Sequence, residues 1–176
     1  MNCKQCGAPM DVERDRDFFH CDYCGSYEFP DPNKDGVKLL GDISPYPCPT
    51  CKKPLVAASI ENVRIFSCPT CRGNLIKQSK MLPILRQAPA LDTISEDQPH
   101  HPNRSELQKK VICPVCQETM DAYPYGGPGN IIIQGCSRCE LIWLDFGELS
   151  KIIRSYLQMY NHSPDELGEK KKWVEF

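Results

Sequence analysis

Every cysteine in this chain lies three positions from another. The twelve cysteines form six C-x-x-C pairs, Cys3/Cys6, Cys21/Cys24, Cys48/Cys51, Cys68/Cys71, Cys113/Cys116 and Cys136/Cys139, with none left over. Neighbouring pairs, taken in order, give three sets of four: Cys3, Cys6, Cys21, Cys24; Cys48, Cys51, Cys68, Cys71; and Cys113, Cys116, Cys136, Cys139. The stretches between the pairs are 14, 16 and 19 residues long, in or near the range of a four-cysteine zinc site. In such a site each pair flanks a tight turn whose amides can point at the sulfurs, and one ion joins two turns. This constrains the fold strongly. Units below about 40 residues rarely bury enough apolar surface to fold alone, and structural zinc supplies roughly 10–16 kcal/mol of apparent binding free energy.

Other chemistry for the same cysteines is less economical. A secreted disulfide scaffold would not put every cysteine at one spacing, and no basic segment followed by an apolar run precedes Cys3. The apolar runs are too short to cross a bilayer. The expectation is a soluble, cytoplasmic protein in a reducing compartment. A C-x-x-C pair can also be a redox dithiol, but six pairs at ribbon spacing favour ligation. Iron in a four-thiolate site uses the same ligands, so sequence alone does not separate it from zinc; three tandem ribbons favour zinc, one ion per site. A catalytic zinc keeps an open position and usually includes His or a carboxylate. These sets are closed, and neither a nucleophile–base set nor a phosphate loop stands out, so no enzymatic activity is expected.

Composition agrees. Hydrophobic residues are 40% and aromatics 9% of 176 residues, thin for one large core. The formal charge is −2, and three zinc–tetrathiolate sites would take it to about −8, unlike a general nucleic-acid binder.

The three units share more than cysteines. An apolar residue follows the first cysteine by seven positions (Met10, Leu55, Met120), another precedes the second pair by three (Phe18, Ile65, Ile133), and a third follows the last cysteine by five (Phe29, Ile76, Leu144). Such self-similarity marks a duplicated unit. Val63–Phe66 and Ile131–Ile133 are β-branched strand candidates, and residues 123–130 read as a hairpin tip. The resulting class is small, metal-stabilised and mostly β: three tandem zinc ribbons, with short α-helices after the second and third.

The expected division is ribbon 1 at 1–32, ribbon 2 with a short helix at 46–87, a flexible linker at 88–110, ribbon 3 with its helix at 111–161, and a tail at 162–176. Residues 31–47 read as a short tether, and Ser105–Lys110 as one or two helical turns. The first two ribbons are expected to pack together, with the third flexibly tethered.

Aligning Cys71 with Cys139 places Leu75 on Trp143, Ile76 on Leu144, Met81 on Leu149, Ile84 on Ile152 and Leu85 on Ile153. In the third unit Asp145 and Glu148 have the spacing of an acidic capping box. Leu149, Ile152, Ile153, Tyr156, Leu157 and Tyr160 continue at helical spacing. The expected roles are Trp143 and Leu144 over the ribbon's own core, Asp145 as N-cap, and Gly147 for close backbone approach.

Cys113-Pro-Val-Cys116, then Cys136-Ser-Arg-Cys139 and Trp143-Leu-Asp-Phe-Gly-Glu-Leu149, resembles the bacterial TFIIB-type zinc ribbons, the "transcription factor zinc-finger" family. The likeness covers about residues 112–155. The Gly-Gly that follows the last cysteine in the family pattern is Glu140-Leu141 here. Residues 47–86 resemble the family more weakly, with Lys77 and Lys80 where the third unit has Asp145 and Glu148. Residues 1–30 resemble a generic zinc ribbon. The resemblance implies zinc ligation by the four cysteines of each unit and no catalysis.

Function is then an expectation from surfaces. A non-enzymatic protein-interaction module or adaptor comes first; the C-terminal helix with Tyr156, Met159 and Tyr160, followed later by Trp173 and Phe176, either packs on its own ribbon or offers part of its stripe as a docking face. The alternative is nucleic acid or transcription machinery held by the basic middle ribbon. Residues 41–87 carry seven basic and two acidic residues, and Lys52, Lys53, Arg64, Arg72, Lys77 and Lys80 are the candidates to touch phosphates. His20, His100, His101 and His162 read as solvated.

Overall fold

A computed structural model describes residues 1–12, 18–87, 104–125 and 131–160. Ribbon 1 is minimal: β1 (Asp11–Val12), β2 (Phe19–His20) and β3 (Tyr27–Glu28) form a three-stranded antiparallel sheet of two-residue strands. The rest of the β structure is one eight-stranded sheet. Its strands are β4 (Lys38–Pro47), β5 (Pro54–Ile60), β6 (Val63–Ser67), β7 (Asn74–Lys77), β8 (Val111–Ile112), β9 (Thr119–Pro124), β10 (Ile132–Cys136) and β11 (Leu141–Leu144). Their order across the sheet is β4-β5-β6-β7-β11-β10-β9-β8.

The β5–β6 hairpin shows how locally this is set. Ile60 pairs with Val63, leaving Glu61 and Asn62 as a two-residue loop. Both have positive φ, 43° and 66°, as the turn matching the strand twist requires. The β-branched runs on either side fill the strands.

The junction between ribbons 2 and 3 is the antiparallel pair β7–β11. Leu75 faces Trp143, with Asn74 opposite Leu144 and Ile76 opposite Ile142. Leu75 and Trp143 are the positions that correspond between the repeats, so the two ribbons meet about an internal two-fold, in the manner of an isologous dimer. The expectation of a flexibly tethered third ribbon is therefore corrected: the two ribbons share one sheet. The physical reason is the short apolar strand that follows each second knuckle. Each ribbon alone would expose it as a bare edge, and each covers the other's.

Two faces of the sheet carry two cores. Helix α1 (Gln78–Gln87) and helix α3 (Glu148–Tyr160) lie on one face, where Met81, Ile84, Leu85, Leu149, Ile152 and Ile153 pack with Ala58, Ile65, Ile76, Ile133, Ile142 and Leu144. The repeat alignment of α1 with α3 is thus matched by burial. Tyr156 and Leu157 also pack partly against this core, so much of the α3 stripe covers its own chain, while Met159 is exposed. The opposite face holds Cys48, Leu55, Cys68, Leu75, Cys113, Met120, Cys136 and Trp143 in a second cluster. Trp143, fully buried, therefore joins the cores beneath two cysteine sites instead of covering one ribbon.

Residues expected to be a tether are structured. Asn33 accepts the N–H groups of Asp35 and Val37 on Oδ1 at 2.9 and 3.1 Å, closing an Asx turn, and β4 follows as an edge strand. Leu40 of β4 and Ala57 of β5 pack with Cys3, Met10, Phe19 and Cys21, so ribbon 1 rests on ribbon 2 as expected. Residues 104–110, expected in the flexible linker, include the single-turn helix α2 (Arg104–Leu107), which contacts β9. The Lys109 ammonium is bonded to Asp145. Linker residues 88–103, the tail 162–176 with Trp173 and Phe176, and His100, His101 and His162 lie outside the described residues.

Candidate metal centres

Five of the six C-x-x-C turns share one backbone design, and the Cys136 turn shares its left-handed fourth residue. The first cysteine's N–H donates to the carbonyl five residues on, as from Cys48 to Lys53 at 2.7 Å and Cys68 to Gly73 at 2.9 Å. Its carbonyl accepts from the N–H four residues on, as at Lys52, Arg72 and Gln117. That fourth residue has positive φ every time: Gly7, Gly25, Lys52, Arg72, Gln117 and Glu140. Glu140, the departure from the family's Gly-Gly, therefore holds a left-handed position that glycine fills at lower cost. Amides also reach the sulfurs, from Gln5 to Cys3 at 3.4 Å, Cys51 to Cys48 at 3.4 Å and Cys71 to Cys68 at 3.5 Å.

The turns converge two by two. Among the described residues, Cys3, Cys6, Cys21, Cys24; Cys48, Cys51, Cys68, Cys71; and Cys113, Cys116, Cys136, Cys139 each bring their sulfurs within 4.8 Å of one another. The close Sγ pairs cross between turns: Cys3–Cys24 at 3.6 Å, Cys6–Cys21 at 3.5 Å, Cys48–Cys71 at 3.5 Å, Cys51–Cys68 at 3.4 Å and Cys116–Cys136 at 3.5 Å. A disulfide would need about 2.05 Å. A tetrahedron with Zn–S bonds of about 2.3 Å has edges of about 3.8 Å, close to what is seen. Each expected set of four is brought together and can hold a metal ion.

The thiols also need a cation electrostatically. The Ser26 hydroxyl, with the amides of Cys6 and Gln5, holds Cys3 down at about 6. The Lys53 amide holds Cys51 at about 7. Burial and neighbouring cysteines push Cys139 up to about 12 and raise Cys71 further. Some sulfurs are set up as thiolates while their neighbours resist a second charge. A divalent ion removes that conflict.

Residues 47–87 and 112–155 each match the family model described as Transcription factor zinc-finger. Each of the two ribbons is similar to that zinc-ribbon family over the matched residues. Searches of curated proteins and of solved structures found no match.

The Trp-Leu-Asp-x-Gly-Glu segment of this family fold works partly as expected. Glu148 Oε2 accepts the Asp145 N–H at 2.7 Å, one half of a capping box. The Asp145 side chain does not return the bond. It accepts the Trp143 indole N–H on Oδ1 at 3.1 Å and the Lys109 ammonium on Oδ2. The α3 amides instead go to Asp35, whose Oδ2 accepts from Gly147 N–H at 2.9 Å and Oδ1 from Ser150 N–H at 3.2 Å. Asp35, fully buried and 112 residues before Gly147, is the side-chain cap of α3, a correction to Asp145 in that role. Gly147 is needed for its φ of 87°, since nothing lies within 4 Å of a Cβ placed there. Close approach occurs at Gly73 instead: a Cβ there would lie 2.3 Å from Trp143 Cζ2.

The six basic residues do not form one surface. Lys52 donates to the Pro49 carbonyl. The Arg72 guanidinium stacks over Phe146, 5.2 Å from the ring centre. Arg64, Lys77 and Lys80 gather in a separate groove, while Lys53 does not line that groove and lies exposed.

Ribbon 1 keeps the shared apolar pattern only at Met10, which is buried as Leu55 and Met120 are. Phe19, not Phe18, is buried, and Phe29 is 70% exposed. Phe18 meets Tyr27 edge to face at 5.3 Å and Phe29 at a tilt at 5.4 Å, and His20 lies tilted against Tyr27 at 4.9 Å. Tyr23 of the same ribbon is also exposed. The sequence signal for this aromatic cluster was the aromatic density of residues 18–29. Nothing local could have shown the Asp35 cap.

Proposed function

We propose that the protein is a non-enzymatic zinc-ribbon adaptor of the cytoplasm, holding three zinc ions and docking on another protein through ribbon 1. The zinc assignment rests on the three closed four-cysteine sets and on the match of two segments to a zinc-ribbon family. All-sulfur closed sets leave no coordination position for a reacting water, which supports a structural ion. Among the described residues no helix is long and apolar enough to cross a membrane.

The docking reading is carried by the aromatic cluster of ribbon 1. Tyr23, Tyr27 and Phe29 are 83%, 58% and 70% exposed, and aromatic side chains are the usual anchors of protein interfaces. The exposed Asp22 beside them disfavours phosphate backbones. The family description, a transcription factor zinc-finger, makes transcription proteins a reasonable place to look. The test is a photo-crosslinking residue at Phe29, set against one at the exposed Leu82 of α1. Capture of one protein from native lysate at Phe29 only, surviving nuclease and lost in Tyr27→Ser, is expected. Equal capture at both positions, or capture lost with nuclease, contradicts docking through ribbon 1.

A further inference from the structure

On the metal-bearing face of the large sheet lies a groove of about 930 Å³, within the range of small-molecule sites. Ribbon 1 contributes Asp11 and Val12 to one side of it, and the knuckles of ribbon 3 contribute Val115 and Cys139 to another. Its floor is side chains of that face: Ala57 and Phe66, which pair across β5–β6, then Leu75 and Leu141. Tyr46 meets Phe66 edge to face, centroids 5.7 Å apart at 74°.

Three cations lie together in it. Arg64 is on β6 and Lys77 on β7, and Lys80 reaches from α1 to donate to the Arg64 carbonyl. Burial lowers the Lys80 pKa, and the nearby charges of Lys77 and Arg64 lower it further. Asp11 and Asp42 also line the groove, so its ligand must satisfy both signs of charge beside a flat apolar surface.

The geometry points to a nucleotide site: we propose that this groove takes a nucleoside phosphate, with phosphate oxygens on Arg64, Lys77 and Lys80, the base against Phe66 and Tyr46, and Asp11 or Asp42 accepting from base amino or ribose hydroxyl groups. An acidic peptide would use the cations but is repelled by the two aspartates, and it has no use for the aromatic pair. The inference goes beyond the docking of ribbon 1 and rests on different residues. The same chemistry could be presented by a free nucleotide or by a single strand, where bases stack on aromatics and phosphates follow a basic groove.

The experiment is binding to the zinc-loaded full chain of three probes: adenosine monophosphate by calorimetry, and a labelled short oligoadenylate and a labelled oligoglutamate peptide by fluorescence anisotropy. Lys77→Glu, at an exposed position, is expected to weaken nucleotide binding at least tenfold, and Phe66→Leu about tenfold through lost stacking. Lys52→Glu, outside the groove, is expected to leave binding unchanged. Comparable binding of the mononucleotide and the oligonucleotide assigns a free nucleotide, and binding of the oligonucleotide alone assigns a strand; both support the site. Three results overturn it: no binding of either nucleotide probe, equal weakening by Lys52→Glu and Lys77→Glu, or tighter binding of the oligoglutamate. Circular dichroism and zinc content of each variant, unchanged from the parent, separate lost binding from lost fold.

Discussion

Ribbon 1 and the joined ribbons 2 and 3 use the same knuckles but surround them differently. In ribbon 1 the second cysteine of each pair, Cys6 and Cys24, is exposed, whereas Cys51, Cys71, Cys116 and Cys139 are half-buried. Ribbon 1 has two-residue strands and leaves Tyr27 and Phe29 in solvent. Ribbons 2 and 3 place Trp143 and Leu75 between their sites and bury both. A knuckle pair therefore sets local geometry, and the strand leaving the second knuckle decides whether a ribbon stays a small metal-stapled unit or gains a core. Ribbon 1 has no apolar strand at that place, only Tyr27–Glu28.

The strongest way to break this contrast is to remove one ligand from each side. Cys68→Ser is expected to cost the most, because metal binding of roughly 10–16 kcal/mol supports folding. Loss of both joined ribbons together is the expected outcome, read as loss of hydrogen-exchange protection in β6 and β10. Cys21→Ser should unfold ribbon 1 and leave that protection intact. If Cys68→Ser left β10 protected, the ribbons would be separate units.

Next in size is Gly73→Ala. Its new methyl meets the indole of Trp143, and overpacking of this kind costs about 1–3 kcal/mol. Denaturant unfolding should show that loss, and the Trp143 signal should shift with it. The same change at Gly25, where nothing lies within 4 Å of an added Cβ, should disturb only the left-handed turn of ribbon 1.

Asp35→Ala comes after. Loss of a helix cap costs about 0.5–2 kcal/mol, and the full burial of Asp35 favours the upper end. The start of α3 should exchange faster while ribbon 1 keeps its metal. Asp35→Asn, which retains an acceptor, should recover part of the loss.

A pH dependence is expected at Glu148. Burial raises its carboxyl to about 7 from an ordinary 4.5, against the opposing hydrogen bond from the Asp145 amide. The folded chain keeps a proton there that the unfolded chain has released, so stability falls as pH rises from about 4.5 towards 7 and levels off above. The difference in unfolding midpoint between the parent and Glu148→Gln should change across that window, and should stay constant with pH if the side chain titrates normally. The site lies in the joined unit, so metal content of ribbon 1 should not follow it.

Much of this was legible in the sequence for a physical reason. A C-x-x-C pair is a local turn, and its ligand role depends on neighbours within a few residues, so all three four-cysteine sets could be read directly. The helix alignment was legible too, because Met81 with Leu149 and Ile84 with Ile152 repeat one periodicity. The junction was not. Leu75 and Trp143 read equally well as lids on their own ribbons, since an apolar strand edge does not name its partner. Asp35 shows the same limit: Asn33-Lys34-Asp35-Gly36 announces a turn, but the helix it caps is more than a hundred residues away. Asp145 looked like the cap because spacing alone cannot show that its carboxylate serves Trp143 and Lys109.

The central claim is that ribbons 2 and 3 are one folded body joined at β7–β11. The most direct measurement is native-state hydrogen exchange on the metal-loaded full chain, in increasing denaturant, comparing β6 of ribbon 2 with β10 of ribbon 3. One shared opening free energy for the two strands, with ribbon 1 opening earlier, is the predicted result. Separate opening of β6 and β10, each with its own denaturant dependence, would contradict it.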